Sequence, residues 1–241
     1  MQDKLSQEND LCDRPKWKIW HSFAILVFIV ILESALYLFK ESVMQPGGLM
    51  LIGNMLQFAC FLLFPLYIAG IHYKQSPQVL GIQNKPFFMG LGKGLSWGAS
   101  LYILQILAAN LLWFIFPDLP MESQSVVTTM LTEGKGIELF GIIISIIVLA
   151  PVGEEIFFRA FMMGALQARF GRLAGVLISA LVFAAMHFEA TLASVWIVFP
   201  LFVGGCGFGI LYAKYQDISL NIISHATWNS IALILLFANH G

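Results

Sequence analysis

Successive apolar runs, each about long enough to cross a bilayer, are the feature of this chain that most limits its fold. A transmembrane helix needs about 20 mainly apolar residues. Such stretches occur at 17–39, 49–73 and 95–116. A fourth, 137–170, is too long for one untilted span and carries Pro151 and Gly153 near its middle. Proline breaks or kinks a helix interior, so two helices are expected there, 137–150 and 154–169. After Phe170-Gly171-Arg172 turns the chain, further helices are expected at 173–188, 193–213 and 218–238. The reading is all-α: a polytopic integral membrane helical bundle of about eight transmembrane helices. Trp17 and Trp20, at the entry of the first span, read as interfacial anchors.

Composition excludes the alternatives. Only 11% of the 241 residues are charged and 59% are hydrophobic, against about 25% charged in a soluble domain. The mean hydropathy is +0.81. Disorder needs the opposite balance. With 13 basic and 14 acidic residues the net charge is −1, and no basic stripe marks a nucleic-acid binder. Cys12, Cys60 and Cys206 are scattered and form no CxxC pair, so neither a thiolate zinc site nor a disulfide framework is suggested. The polar tail 1–16 precedes a long apolar run without a small-residue cleavage site, so the first stretch is expected to be a retained span. Residues 17–136 then hold transmembrane helices without recognised motifs, and 137–238 hold a helical core that carries the motifs.

Charge placement suggests a cytoplasmic N-terminus. Lys4, Arg14, Lys16, Lys18, Lys74, Lys85 and Lys93 then lie inside and the acidic 117–136 loop outside, as the positive-inside rule prefers. With about eight helices, Arg169, Arg172 and Lys214 fall outside with Lys40 and Lys135, a bias of seven against five.

The ionisable groups inside the apolar segments carry the argument about function. A charge at membrane depth costs about 2.5–3.5 kcal/mol on insertion scales, yet Glu154, Glu155 and Arg159 fall within six residues. Glu155 and Arg159 are four apart on a helix, so they share a face and can pair. Glu154 is 100° round from Glu155 and is left with an unpaired carboxylate, the group that water activation requires. The plainer alternative is one buried ion-pair cluster that orients helices. Glu33 lies in the first span. His187 closes the apolar helix that ends Phe183-Ala184-Ala185-Met186-His187, where a packed core histidine is the plainer reading. His225 and Asn229 are also four apart, and Asn221 and Ser224 extend their stripe; such groups face a bundle interior, where they serve at least as interhelical hydrogen bonds. Together, carboxylate, two imidazoles and carboxamide make a plausible hydrolytic site: one pair holds and deprotonates a water, the other donates to an oxyanion. Gly205-xxx-Gly209 reads as a close-packing surface on the 193–213 helix behind that site.

These residues also carry a resemblance. Glu154-Glu155-x-x-x-Arg159, Phe183-x-x-x-His187 and His225-x-x-x-Asn229, in that order in a multi-helix membrane protein, resemble the signatures of the CAAX protease and bacteriocin-processing family (CPBP or Abi family) of intramembrane proteases, typified by the Ras-converting CAAX endopeptidase. The context APVGEEIFFRAFMMGAL is similar to the family's APxxEExxFRG stretch, with Ala160 in place of the usual glycine. The resemblance covers about 137–235 and makes 137–238 a CAAX protease-like catalytic core. It implies that Glu154 activates water with His187 as its partner, that His225 and Asn229 stabilise the oxyanion, and that Glu155 and Arg159 support them. The two histidines exchange roles without contradicting the sequence.

The expected activity is hydrolysis of a peptide bond in a membrane-associated protein or peptide, lipidated or CAAX-like at its C-terminus, at a cavity opening towards the cytoplasm. The partners are that substrate and the lipid bilayer, with no nucleic acid. No cofactor is expected; the alternative is Zn²⁺ held by Glu154, His187 and His225 with one open position, although HExxH is absent. Two other functions compete: a catalytically inactive protein of the same fold, serving bacteriocin immunity or as a scaffold, and a small transporter motivated by the buried Glu and His. A transporter is expected to show broken helices in both halves, and the sequence has one such break.

Overall fold

The computed structural model describes residues 14–38, 46–118, 136–189 and 191–240. Seven helices account for these, and no strand occurs among the described residues. Helix α1 is Ile19–Leu38. Helix α2, Pro46–Leu66, runs on through a π-helical turn, Tyr67–His72. Helix α3 is Leu91–Ile115 and α4 spans Gly136–Phe170. Helices α5, α6 and α7 are Arg172–Ala185, Val195–Tyr215 and Ile218–His240. Six of the seven are long and apolar enough to cross a membrane; α5 is the shorter one. The protein is an integral membrane helical bundle.

The helix count is one below the expected eight because 137–150 and 154–169 are a single helix. Proline is accommodated by widened turns instead of a break. Two π-helical segments, Ser145–Leu149 and Glu155–Met162, flank the short α-helical piece Ala150–Glu154 that contains Pro151. In the first segment Ala150 N–H bonds the Ser145 carbonyl, five residues back. In the same register Pro151 would bond Ile146, but proline has no N–H. The Asn229 amide of α7 donates to that carbonyl instead, Nδ2 to O at 2.8 Å. Two carbonyls of the second segment are met in the same way. Ser179 Oγ of α5 donates to Phe158 at 2.7 Å, and Trp17 Nε1 donates to Phe161 at 2.9 Å. In lipid a freed carbonyl has no water to turn to, so side chains from three other segments take over.

Trp17 therefore differs from its expected role. Trp20 is exposed as an interfacial anchor should be, but Trp17 is buried and stacks on Phe161 with centroids 4.8 Å apart. Around it Phe61, Phe157, Phe158 and Phe183 form the aromatic centre of the core. Helices α5 and α6 pack closely through the expected glycines: a Cβ at Gly205 would stand 3.2 Å from that of Ala180, and one at Gly209 3.0 Å from Val176. Helix α7 presses on α3 at Gly98, where a Cβ would fall 2.3 Å from the Ser224 carbonyl.

The helix ends sort by charge. At one end the start of α1, the α2–α3 connection, the α4–α5 turn and the α6–α7 turn are knitted together. Gln75 joins the Lys16 amide and the Arg14 carbonyl, at 2.8 and 2.9 Å. Gln83 donates to Gln216, Arg172 to Ala213, and Lys85 pairs with Asp217 at 2.5 Å. Lys93 lies over the Tyr215 ring. Merging the two expected helices thus moves Arg169, Arg172 and Lys214 to the end that holds Arg14, Lys16 and Lys18.

Candidate active site

Glu154 and Glu155 sit side by side in the sequence and in different surroundings. The piece of α4 that ends at Glu154 presents its carboxylate to a cavity of about 430 Å³, which His187, His225 and Asn229 also line. The Glu154 side chain is 14% exposed there. The four residues come from three elements: α4, the chain just past α5, and α7. All four expected catalytic residues are brought to one cavity.

Glu155 begins the second π segment and is fully buried behind that wall. Its Oε2 is 3.2 Å from Arg159 Nε and accepts from Asn221 Nδ2 at 2.9 Å. The same Asn221 amide also donates to the Phe208 carbonyl at 2.9 Å. The guanidinium of Arg159, with no exposure, lies over the faces of Phe183 and Phe208, 4.8 and 5.7 Å from their centroids. Its terminal nitrogens meet no hydrogen-bond acceptor among the described residues, so the ring faces and the Glu155 charge balance the cation. A desolvated cation–π contact contributes about 2 kcal/mol. The expected pairing of Glu155 with Arg159 is present, and Asn221 is an addition to it.

His225 joins cage and cavity. Its Nδ1 is 2.9 Å from Glu155 Oε1. An ionised carboxylate only accepts, so Nδ1 carries the proton and Nε2 is the nitrogen left for the cavity. That Nε2 is 3.8 Å from Glu154 Oε2, beyond direct hydrogen-bond range. A separation of this size leaves room for a water about 2.8 Å from each. Phe208 stacks on one side of the imidazole at 4.9 Å. His187 is anchored differently: Nδ1 bonds the Phe183 carbonyl at 2.9 Å, which leaves Nε2 available. Asn229 spends one amide N–H on Ile146 and keeps the second.

Sequence reasoning left out the wall supplied by the first two helices. Glu33 of α1 and Asn54 and Gln57 of α2 line the same cavity, as do Ser145 and Glu189. The signal was there to read: Asn54 and Gln57 are i and i+3 on an otherwise apolar helix, and Glu33 is a lone carboxylate in a span. The cavity occupies the half of the bundle away from the basic end. Glu33 is near the end of α1, Asn54 near the start of α2 and Leu201 near the start of α6.

Zinc would need at least three protein donors around one point. Among the described residues no three His, Cys, Asp or Glu side chains are so arranged. As these side chains are arranged, the donor set does not fit zinc.

Residues 136–231 match the family model described as Rce1-like, type II CAAX prenyl endopeptidase Rce1-like. No curated protein and no solved structure matches the chain. The matched segment contains the whole of the Glu154–His187–His225–Asn229 constellation and its Glu155–Arg159 cage, and this part of the chain is similar to the Rce1-like CAAX protease family.

Proposed function

We propose that this chain is an intramembrane endopeptidase that hydrolyses a peptide bond of a membrane-associated substrate with a glutamate-activated water. The observation that carries the reading is the convergence of Glu154, His187, His225 and Asn229 on one cavity while Glu155, next in sequence, is sealed away. Glu154 takes a proton from water as its oxygen attacks the scissile carbonyl. The carbonyl oxygen becomes an oxyanion, which accepts from the free N–H of Asn229, while His225 Nε2, one turn away on α7, accepts from the attacking water and holds it. The intermediate collapses, the C–N bond breaks, and the proton held on Glu154 passes to the leaving amine. His187 lines the same cavity with Nε2 free. A base of this kind contributes about 10²–10⁴-fold, and one oxyanion donor about 10²–10³-fold.

The substrate is a protein or peptide segment held at the membrane, with or without a lipid anchor. The N-terminus is cytoplasmic in this reading: nine of the ten described Lys and Arg residues lie at the end of the bundle that holds it, the tenth being the caged Arg159, and cytoplasmic connections carry the excess of Lys and Arg. The test is cleavage of membrane-tethered peptides by the purified full chain in lipid nanodiscs, followed by mass spectrometry. Cleavage is expected from the native chain and abolished in Glu154→Gln. Undiminished cleavage by that variant would sink the reading. Unchanged rates with a zinc chelator are expected in the same assay, and chelator inhibition would overturn the metal-free mechanism.

A further inference from the structure

We infer that the basic end of the bundle carries a second binding site, a cavity that takes a phosphate group. The inference does not rest on the hydrolytic reading above.

The cavity measures about 410 Å³, within the range of about 300–1,000 Å³ that accepts small molecules. It shares no lining residue with the cavity at Glu154. Ala160 and Gly164 make a floor of small residues on α4, and Gln167 continues it one turn further. The chain before α1 lies across that floor: a Cβ at Gly164 would stand 3.6 Å from Pro15. Gln75 tethers this stretch by bonding the Arg14 carbonyl and the Lys16 amide. The walls are therefore held by hydrogen bonds before any ligand arrives.

The lining selects an anion. Arg14 and Arg172 line the cavity, and among the described residues no Asp or Glu does. Asp217, at the nearby α6–α7 turn, is taken up by Lys85 and Ser219. Arg172 spends one terminal nitrogen on the Ala213 carbonyl at 2.6 Å. That bond fixes the guanidinium in the wall, and an arginine has further N–H donors to give. Two uncharged donors line the same space without a hydrogen-bond partner among the described residues: the Tyr212 hydroxyl, on a residue only 2% exposed, and Gln167 Nε2. Buried polar groups are normally paired, so these two ask for an acceptor.

The donors come from four segments: the chain before α1, α4, α5 and α6. A carboxylate offers them two oxygens, whereas a phosphate monoester offers three strong acceptors and up to two negative charges. Arginine's planar fork also matches phosphate geometry. The site lies at the end of the bundle where Trp20 is exposed, as tryptophans are at headgroup level, and basic pockets between membrane helices bind lipid headgroups. A lipid headgroup and free phosphate present the same chemistry here.

The test is titration calorimetry on the purified full chain in an uncharged, phosphate-free detergent at fixed ionic strength. The probes are sodium phosphate and dihexanoyl phosphatidic acid, with dihexanoylglycerol as the phosphate-free control. Saturable binding of a phosphate probe is expected, and none of the control. Binding of phosphatidic acid alone identifies a lipid headgroup as the source, binding of sodium phosphate alone identifies the free ion, and binding of both shows that the phosphate group suffices. Tyr212→Phe, which removes only the hydroxyl, is expected to weaken binding by about 10-fold, as loss of one hydrogen bond to a charged group does. Arg14→Gln, at an exposed position, is expected to weaken it at least as much and serves as the second variant should Tyr212→Phe fail to accumulate. Lys93→Gln removes a basic-end cation outside the cavity and is expected to change binding by less than about two-fold, because exposed charges at a distance are screened. Absence of binding by both phosphate probes, equal binding of the phosphate-free control, or the same loss in Lys93→Gln as in the cavity variants would overturn the inference. So would undiminished binding by Tyr212→Phe and Arg14→Gln.

Discussion

The cage around Glu155 and the cavity in front of Glu154 are built from adjacent residues of one helix and obey opposite rules. Glu155 has no exposure and is matched by a cation, an amide and an imidazole. Glu154 is partly exposed, and the imidazole nitrogen before it, His225 Nε2, stands off at 3.8 Å. A rotation of about 100° separates them on an α-helix, and here the boundary between α and π turns falls between the two. The lesson is that the second carboxylate makes the first usable. The cage fixes the His225 ring and its tautomer from behind through Nδ1, while Glu154 faces the cavity.

The cage is the place to break this arrangement most severely. Glu155→Ala strands Arg159 in a dry site, and removing one member of a buried pair costs about 3–5 kcal/mol. Unfolding in mild detergent is expected to show that loss, and activity falls with it because His225 loses its anchor. Glu154→Gln is the complementary perturbation. It leaves stability within about 0.5 kcal/mol, as substitutions away from packed features do, while peptide cleavage drops by about 10²–10⁴-fold. If both variants lose stability equally, the division of labour between the two carboxylates is wrong.

Asn229 sharpens the comparison from the cavity side. Asn229→Ala removes an oxyanion donor and is expected to lower kcat by about 10²–10³-fold. It also orphans the Ile146 carbonyl, a loss of about 1–3 kcal/mol. Pro151→Ala separates the two effects. It restores an N–H in register with that carbonyl, which releases the Asn229 amide while leaving its chemistry intact. The expected result is a drop in kcat of about 10-fold, with KM unchanged and no loss of stability. Equal cleavage by Pro151→Ala and the native chain would show that the Pro151 gap does not position Asn229.

Much of this was legible in the chain. Residue types that are costly in lipid stood out against an apolar background, so Glu154, Glu155, Arg159, His187, His225 and Asn229 were visible as a set, and i,i+4 spacing paired Glu155 with Arg159. Helix α4 was not legible as one helix, because Pro151 normally signals a stop and a π turn leaves no mark in hydropathy. That error also misplaced Arg169, Arg172 and Lys214 relative to Arg14, Lys16 and Lys18. Trp17 was misread because a tryptophan at a span entry suits an interface, and only the freed Phe161 carbonyl explains its burial. The α1 and α2 wall, Glu33, Asn54 and Gln57, showed a polar spacing within α2 but nothing in sequence that tied it to the 137–238 motifs.

The Lys85–Asp217 pair at the basic end gives the smallest and most selective contrast with the cage. Asp217 is buried while Lys85 is more than one-third exposed, so this pair feels water where Arg159 does not. Burial pushes the Asp217 carboxyl up, but its hydrogen bond and charge contact with Lys85 and its bonds from Ser219 outweigh this and hold its pKa below the usual carboxylate value. A carboxylate with a depressed folded pKa stabilises fully above its unfolded pKa of about 3.9, and that stabilisation is lost as pH falls through the lower folded value. Lys85→Met is expected to cost about 1 kcal/mol at neutral pH, the upper end for a pair open to solvent. Unfolding between pH 6 and pH 3 should show a flatter pH dependence in the variant, with the two curves converging at the acid end. Parallel curves for the two chains over that range would show that Lys85 does not stabilise the Asp217 carboxylate.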